Sequence, residues 1–298
     1  MSDKTGIAWT DATWNPTTGC SHLSAGCEHC FAETLSLRYG WSKKPWTAPN
    51  AAENVVLHPE RLDQPLRWTK PRRVFVNSMS DLFHERIEWD YIARVFETMY
   101  RTPRHTYQIL TKRPEVMRKF VEWFLCHVGE EFVREDDALY HPILPPHIWL
   151  GVSIEQDRWC GRADILRDTP AAVRFISAEP LLEPLPALNL TDIDWLIFGG
   201  ESGHTPDGRS LVERCECPGG ATQAARYERR FAQVPCLRCA ETGWRPKPWA
   251  LVEARRLRDL CRGHGAAYFL KQWGGPTPIS GGHLLDGIEY HQFPEVQA

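Results

Sequence analysis

The chain's strongest constraint on fold is a rhythm of short apolar runs alternating with stretches of helical periodicity. The runs are Arg73–Asn77 (RVFVN), Thr106–Leu110 (TYQIL), His147–Val152 (HIWLGV), Val173–Ile176 (VRFI), Asp194–Phe198 (DWLIF) and Ala267–Leu270 (AYFL). Each is brief, rich in apolar β-branched or aromatic residues, and bounded by polar or turn residues, as buried parallel strands are. Between most of them, Trp89–Tyr100, Arg113–Phe124, Arg158–Asp168 and Pro248–Gly263 carry helical patterns. One further strand is expected near the N-terminus, which makes about seven. The alternation predicts an α/β fold, a full or partial (βα) barrel, with a doubly wound open sheet as the alternative. Phe31–Arg38 reads as a short helix, and residues 41–55, rich in Pro, Trp and Lys, read as a loop.

A length of 298 residues admits two average domains or one barrel. A hydrophobic share of 42% with 24% charged residues excludes wholesale disorder. The net charge of −3 argues against a surface coated in basic residues, while leaving room for a local basic groove. No run approaches the roughly 18 apolar residues of a membrane span. The opening residues MSDKTGIAWTDATW lack an apolar signal segment, so a cytoplasmic protein without membrane contact is expected.

Enzymes of this architecture carry their chemistry at the carboxyl ends of strands. Here those ends are polar in six places. They read Asn77-Ser78-Met79-Ser80-Asp81, Thr111-Lys112-Arg113, Ser153-Ile154-Glu155, Ser177-Ala178-Glu179-Pro180, Gly199-Gly200-Glu201-Ser202-Gly203 and Lys271-Gln272-Trp273-Gly274-Gly275. Helix caps account for Ser, Asp and Asn at any one end. They do not call for Lys112, Glu155, Glu179, Glu201 and Lys271, whose mixed charge suits a zwitterionic ligand at a common mouth. Gly199 and Gly200 would let a ligand approach the backbone closely.

Ten cysteines are many for a reducing compartment. Cys20-x6-Cys27-x2-Cys30 places three thiols in a Gly-containing loop expected after the first strand. Three thiolates suit an iron–sulfur cluster with one iron left open, or zinc completed by His22 or His29.

Three cysteines after the first strand of such a barrel resemble the radical S-adenosylmethionine (radical SAM) superfamily, whose usual spacing is C-x3-C-x2-C. The segments TGIAWTDATWNPTTGC, CEHCFAE, VFVNSMSDLFHE, ILTKRPE, GVSIE, ISAEPLLEPL, FGGESG and FLKQWGG are similar to a phage-associated and bacterial family of unknown function, usually described as radical-SAM-like. The resemblance runs from about residue 6 to 275. It implies a TIM-like barrel of the radical SAM type, with Cys20, Cys27 and Cys30 holding a [4Fe-4S] cluster and S-adenosylmethionine as cosubstrate. It also implies a partner protein that supplies electrons. Position on the strand ends then offers Asn77, Ser78, Ser80, Asp81, Lys112, Ser153, Glu155, Glu179, Gly199 and Gly200 as contacts for S-adenosylmethionine. Lys112, Glu201 and Lys271 join the three cysteines as candidate catalytic residues. In family members GGESG runs quickly into an Arg-Pro. Here Gly203 and Arg245-Pro246 are far apart.

That separation marks residues 204–244 as an insertion into a barrel formed by 1–203 and 245–298. Cys215-x-Cys217 and Cys236-x2-Cys239 resemble a four-cysteine zinc knuckle, with an auxiliary iron–sulfur cluster as the rival. Structural zinc would explain how a Gly- and Arg-rich segment folds. Arg226, Arg229 and Arg230 could meet nucleic acid phosphate, although a solvated flap reads equally well. Cys126, Cys160 and Cys261 read as buried small hydrophobes. Trp9, Trp14, Trp41 and Trp46 read as core, or as a surface for a base. The leading expectation is a radical SAM enzyme acting on a nucleic acid or nucleotide. A zinc-stabilised nucleic-acid-binding protein without redox chemistry is the alternative. A metal-assisted hydrolase using Asp81 and Glu155 is a third.

Overall fold

A computed structural model describes residues 5–127, 143–203, 209–215, 243–277 and 280–295. The seven strands of its main sheet are β1 (Ala12–Trp14), β2 (Arg73–Val76), β3 (Thr106–Thr111), β4 (Leu144–Ser153), β5 (Ala171–Ala178), β6 (Trp195–Gly199) and β7 (Ala267–Gln272). The helices are α1 (Phe31–Arg38), α2 (Trp89–Tyr100), α3 (Pro114–His127), α4 (Gly161–Arg167) and α5 (Pro248–His264). Strand order in the sheet follows chain order from β1 to β7. A doubly wound sheet reverses its order at a switch point, and this one does not. The topology is mixed α/β and matches the partial (βα) barrel expected from the alternation.

The chain divides into two compact units. The first comprises Met1–Ser153, Gly161–Ile176 and Glu295–Ala298. Its strands β1, β2, β3 and β4 pair in parallel, with Trp14 beside Val76, Val76 beside Ile109 and Ile109 beside Leu150. All four of these residues are fully buried. Between β2 and β4, α2 and α3 bury Phe96, Phe120 and Phe124, whose rings lie 5.0 to 5.7 Å apart. The helical spacing of their apolar residues creates this contact stripe. Helix α3 opens with Pro114 in its first turn, where a missing N–H costs nothing.

The second unit comprises Ile154–Cys160 and Ser177–Pro294. Here β6 and β7 pair in parallel, Leu196 beside Tyr268 and Phe198 beside Leu270. The register slips between Leu270 and Gln272, so Lys271 stands in a bulge. Bulges re-aim the side chain they carry. Helix α5 stops at Gly265, whose φ of 72° is the left-handed cap that glycine adopts without strain.

Two expectations need correction. Residues 41–55 are not all loop, because Ala51–Asn54 forms a single helical turn whose Ala51 and Asn54 are buried. Cys126 is exposed on α3, whereas Cys160 and Cys261 are buried as expected. Trp9, Trp14 and Trp46 are core, and Trp41 is 66% exposed. Val212–Arg214 pairs antiparallel with Trp244–Pro246, so the flanks of the cysteine-bearing segment lie side by side. Cys215 is buried beside that pair, and its N–H donates to the Gly243 carbonyl. Cys217, Cys236, Cys239 and the arginines at 226, 229 and 230 lie outside the described residues.

Candidate functional site

In the first unit, the loop leaving β1 carries Cys20, Cys27 and Cys30. Gly19 opens it with φ 83°, and its N–H donates to the Met79 carbonyl at 2.9 Å. The polar end of β2 supports this loop. Asn77 takes a left-handed φ of 62°, which Asn tolerates better than most residues. Its Nδ2 donates to Thr17 Oγ1 (2.8 Å), which lies 2.8 Å from Ser80 Oγ; Ser80 Oγ in turn donates to the Thr17 carbonyl (3.0 Å). Ser78 Oγ donates to Asn15 Oδ1 at 3.3 Å. Asn77, Ser78 and Ser80 thus tie the ends of β1 and β2 together.

Asp81 is the hub between this loop and the end of β3. Its Oδ1 accepts from Thr111 Oγ1 (2.7 Å) and the Phe83 N–H (3.0 Å). Its Oδ2 accepts from the Lys112 N–H (3.2 Å) and Arg113 Nη1 (3.0 Å). Four bonds fill the acceptor sites of a carboxylate. Asp81 therefore acts on the loop through its neighbours.

Arg113 reaches from the start of α3 into the cysteine loop. Its Nη1 lies 3.6 Å from Cys20 Sγ, and its Nη2 donates to Ser21 Oγ (3.1 Å) and the Ser21 carbonyl (3.4 Å). Burial opposes its charge, but Asp81, Cys20 and Glu85 outweigh that and hold its proton more firmly than usual. Burial pushes the Cys20 thiol up to about 12, with Asp81 adding to the rise and Arg113 opposing it. Burial also raises Cys30, against the opposing charge of Lys112. Both shifts favour the protonated thiol, whose proton a metal would have to displace to bind.

Among the described residues, no group of three or more His, Cys, Asp or Glu side chains is arranged around a metal position. By its chemistry alone the donor set suits an iron–sulfur cluster: three thiols, none in a disulfide, on one loop at a strand's carboxyl end, with the Arg113 guanidinium beside Cys20. His22 is a poor fourth ligand, because its Nε2 meets Glu33 Oε2 at 2.5 Å. The other oxygen of Glu33 accepts from the Trp46 N–H, so this bond braces the loop.

Ser21 Oγ and His84 Nε2, 3.0 Å apart, resemble a nucleophile and base. The tautomer argues otherwise. His84 Nδ1 accepts the Arg86 N–H at 3.2 Å, so Nε2 carries the proton and donates to Ser21. Burial and then the Arg113 charge also lower the pKa of His84. The pair is structural.

The second unit gathers its own strand-end residues. Lys271 Nζ donates to Glu179 Oε1 at 2.5 Å, and both side chains stay about one-fifth exposed. Gly199 is what admits Glu179: a Cβ there would lie 3.0 Å from its Cγ and Cδ. A Cβ on Gly200 would lie 2.2 Å from the Trp273 carbonyl oxygen, so that glycine serves backbone packing. Glu201, 7% exposed, has Oε2 3.3 Å from Arg209 Nε. Glu155 is fully buried, and its carbonyl accepts the Leu182 N–H. Ser153 is buried in the first unit, with its carbonyl accepting from Arg162.

Sequence reasoning named the Thr111-Lys112-Arg113 strand end but assigned Arg113 to a helix start. It missed Thr17, Ser21 and Glu33. The detectable signal was Arg113's place directly after a candidate ligand-binding Lys.

The family model described as "Protein of unknown function (DUF5131)" matches residues 4–211. No curated protein and no solved structure matches the chain.

Proposed function

Since the chain belongs to the DUF5131 family, whose description names no reaction, we propose from the site's own chemistry that it is a radical SAM enzyme. The observation that carries this reading is the loop of Cys20, Cys27 and Cys30 at the end of β1, with Arg113 against Cys20. These three residues would hold a [4Fe-4S] cluster and leave one iron for S-adenosylmethionine. When bound, such a cluster would supply the single electron for reductive cleavage of S-adenosylmethionine into methionine and a 5′-deoxyadenosyl radical, the species that would take a hydrogen atom from substrate.

The chain's residues have distinct parts in this reading. Asn77, Ser78, Ser80 and Asp81 hold the cysteine loop to the ends of β2 and β3. Lys112 offers a positive charge to a ligand carboxylate. In the second unit, Lys271 and Glu179 offer a cation and an anion to a zwitterion, at the cost of parting from each other. We assign Glu155, Glu201, Ser153, Gly199 and Gly200 to shaping these ends. The substrate class is a nucleotide or nucleic acid, supported by the Arg-rich sequence around 226–230 and by the exposed Trp41 ring 5.2 Å from Tyr39. A protein that donates single electrons is the required partner. The four-cysteine segment holds zinc in the same proposal. The described residues contain no helix long and apolar enough to cross a membrane.

Anaerobic reconstitution tests the reading. Brown protein carrying about four iron and four sulfide per chain, and forming 5′-deoxyadenosine from S-adenosylmethionine with a one-electron reductant, is the expected result. Changing Cys20, Cys27 and Cys30 together to Ala should abolish both. Colourless protein with zinc alone overturns the proposal and favours a zinc-stabilised nucleic-acid-binding protein.

A further inference from the structure

The guanidinium of Arg113 has five N–H donors, and the described contacts engage all five. Nε donates to Glu85 (3.0 Å), Nη1 to Asp81 (3.0 Å) and Cys20 Sγ (3.6 Å), and Nη2 to the Ser21 hydroxyl and carbonyl (3.1 and 3.4 Å). The residue is 6% exposed. Such a buried cation needs a compelling set of partners, and an ordinary helix start does not require one. Lys could not replace it, having three donors on a point charge and no planar fork.

The partners differ in kind. Asp81 and Glu85 anchor the guanidinium on one side, and Asp81 is 7% exposed against about 60% for the Glu85 side chain. The remaining donors point to two consecutive residues of the cysteine loop. We infer that Arg113 is a positioning residue that fixes Cys20 and sets the reduction potential of the cluster Cys20 helps to bind. This rests on the cluster reading above. An N–H donor or positive charge next to a ligating sulfur favours the more negative, reduced cluster and so raises its potential. Glu85 works against this by neutralising part of the guanidinium charge. The two residues form a graded pair, one pulling the potential up and the other down.

The pair predicts shifts of opposite sign. In anaerobically reconstituted full-length protein, Arg113→Lys should lower the cluster midpoint in a spectroscopic redox titration by the equivalent of tenfold or more, about 59 mV for one electron. Glu85→Gln should raise the midpoint. It is the safer variant, because its side chain is mostly exposed and the change buries no lone charge. Iron content and thermal melting are recorded for each. A role confined to packing would alter melting and leave both midpoints in place. If wild type loads iron and neither midpoint moves, or both move the same way, the role of Arg113 is overturned and the cluster reading survives. If wild type takes up no iron, the cluster reading itself fails, and the tuning role falls with it.

Discussion

A Cβ on Gly19 would lie 1.8 Å from the carbonyl oxygen of Asn54. That oxygen belongs to backbone and cannot swing away like a flexible side chain. Gly19 also has φ 83°, a conformation that L side chains rarely adopt. Gly19→Ala should destabilise the protein by more than about 1 kcal/mol and displace the neighbouring Cys20. Thermal or urea unfolding checks the first effect, and iron loading after reconstitution checks the second. Wild-type stability and loading would contradict the close approach.

The isolated cysteines should react at very different rates. Cys126 is exposed, whereas Cys261 is 1% exposed and burial pushes its thiol up to about 12. The thiolate is the reactive species. In native protein, mass-mapped alkylation at pH 7.5 should label Cys126 first and leave Cys261 untouched until unfolding. Prompt labelling of Cys261 would refute its burial.

Stability should fall on acidification through the histidine range. His105 Nε2 lies 3.2 Å from the Pro65 carbonyl oxygen and His147 Nε2 lies 3.1 Å from that of Met99; a carbonyl only accepts, so both Nε2 atoms donate. Burial lowers both pKa values, with Arg104 and Arg72 adding to the effect at His105. The unfolded residues titrate near 6.5. Below that value the unfolded chain binds protons that the folded one refuses, so stability present above it declines as pH falls. The His105→Gln, His147→Gln double variant should show a flatter melting-temperature profile between pH 7 and 5. An unchanged slope would sink the assignment.

The Glu179–Lys271 contact is within reach of solvent, so its energy should be modest. A double-mutant cycle with Glu179→Gln and Lys271→Met should give a coupling of about 0.5 to 1 kcal/mol, reduced by salt. Gly199→Ala should abolish the coupling, because the added methyl crowds Glu179. A coupling that persists in the Gly199→Ala background would count against that steric link.

Phe120 is fully buried between Phe96 and Phe124 and touches Phe83, Trp89 and Trp123 with its ring. Phe120→Ala should cost about 3–5 kcal/mol, measured by denaturant unfolding. A loss under about 1 kcal/mol would mean that this junction of α2 and α3 is not tightly packed.

Local pattern alone made most of the architecture legible. Period and length are properties of a segment, so runs such as RVFV and WLIF announced strands, and Trp89–Tyr100 announced its helix with both ends correct. Chain alternation also pointed to a barrel ahead of a doubly wound sheet, and the sequential strand order agrees, because parallel neighbours joined by helices tend to follow one another. The cysteine loop was equally visible, since Cys spacing is a local fact. Partnership was not legible. Asp81 read as a ligand contact, yet its four acceptor sites are engaged inside the protein. Arg113 read as the first residue of a helix, yet it joins that helix to Cys20, 93 positions away. Gly199 read as room for a ligand, and the room is taken by Glu179. Such pairings link residues far apart in the chain. Only the packed tertiary structure brings them together, and burial then makes each donor or charge find a partner.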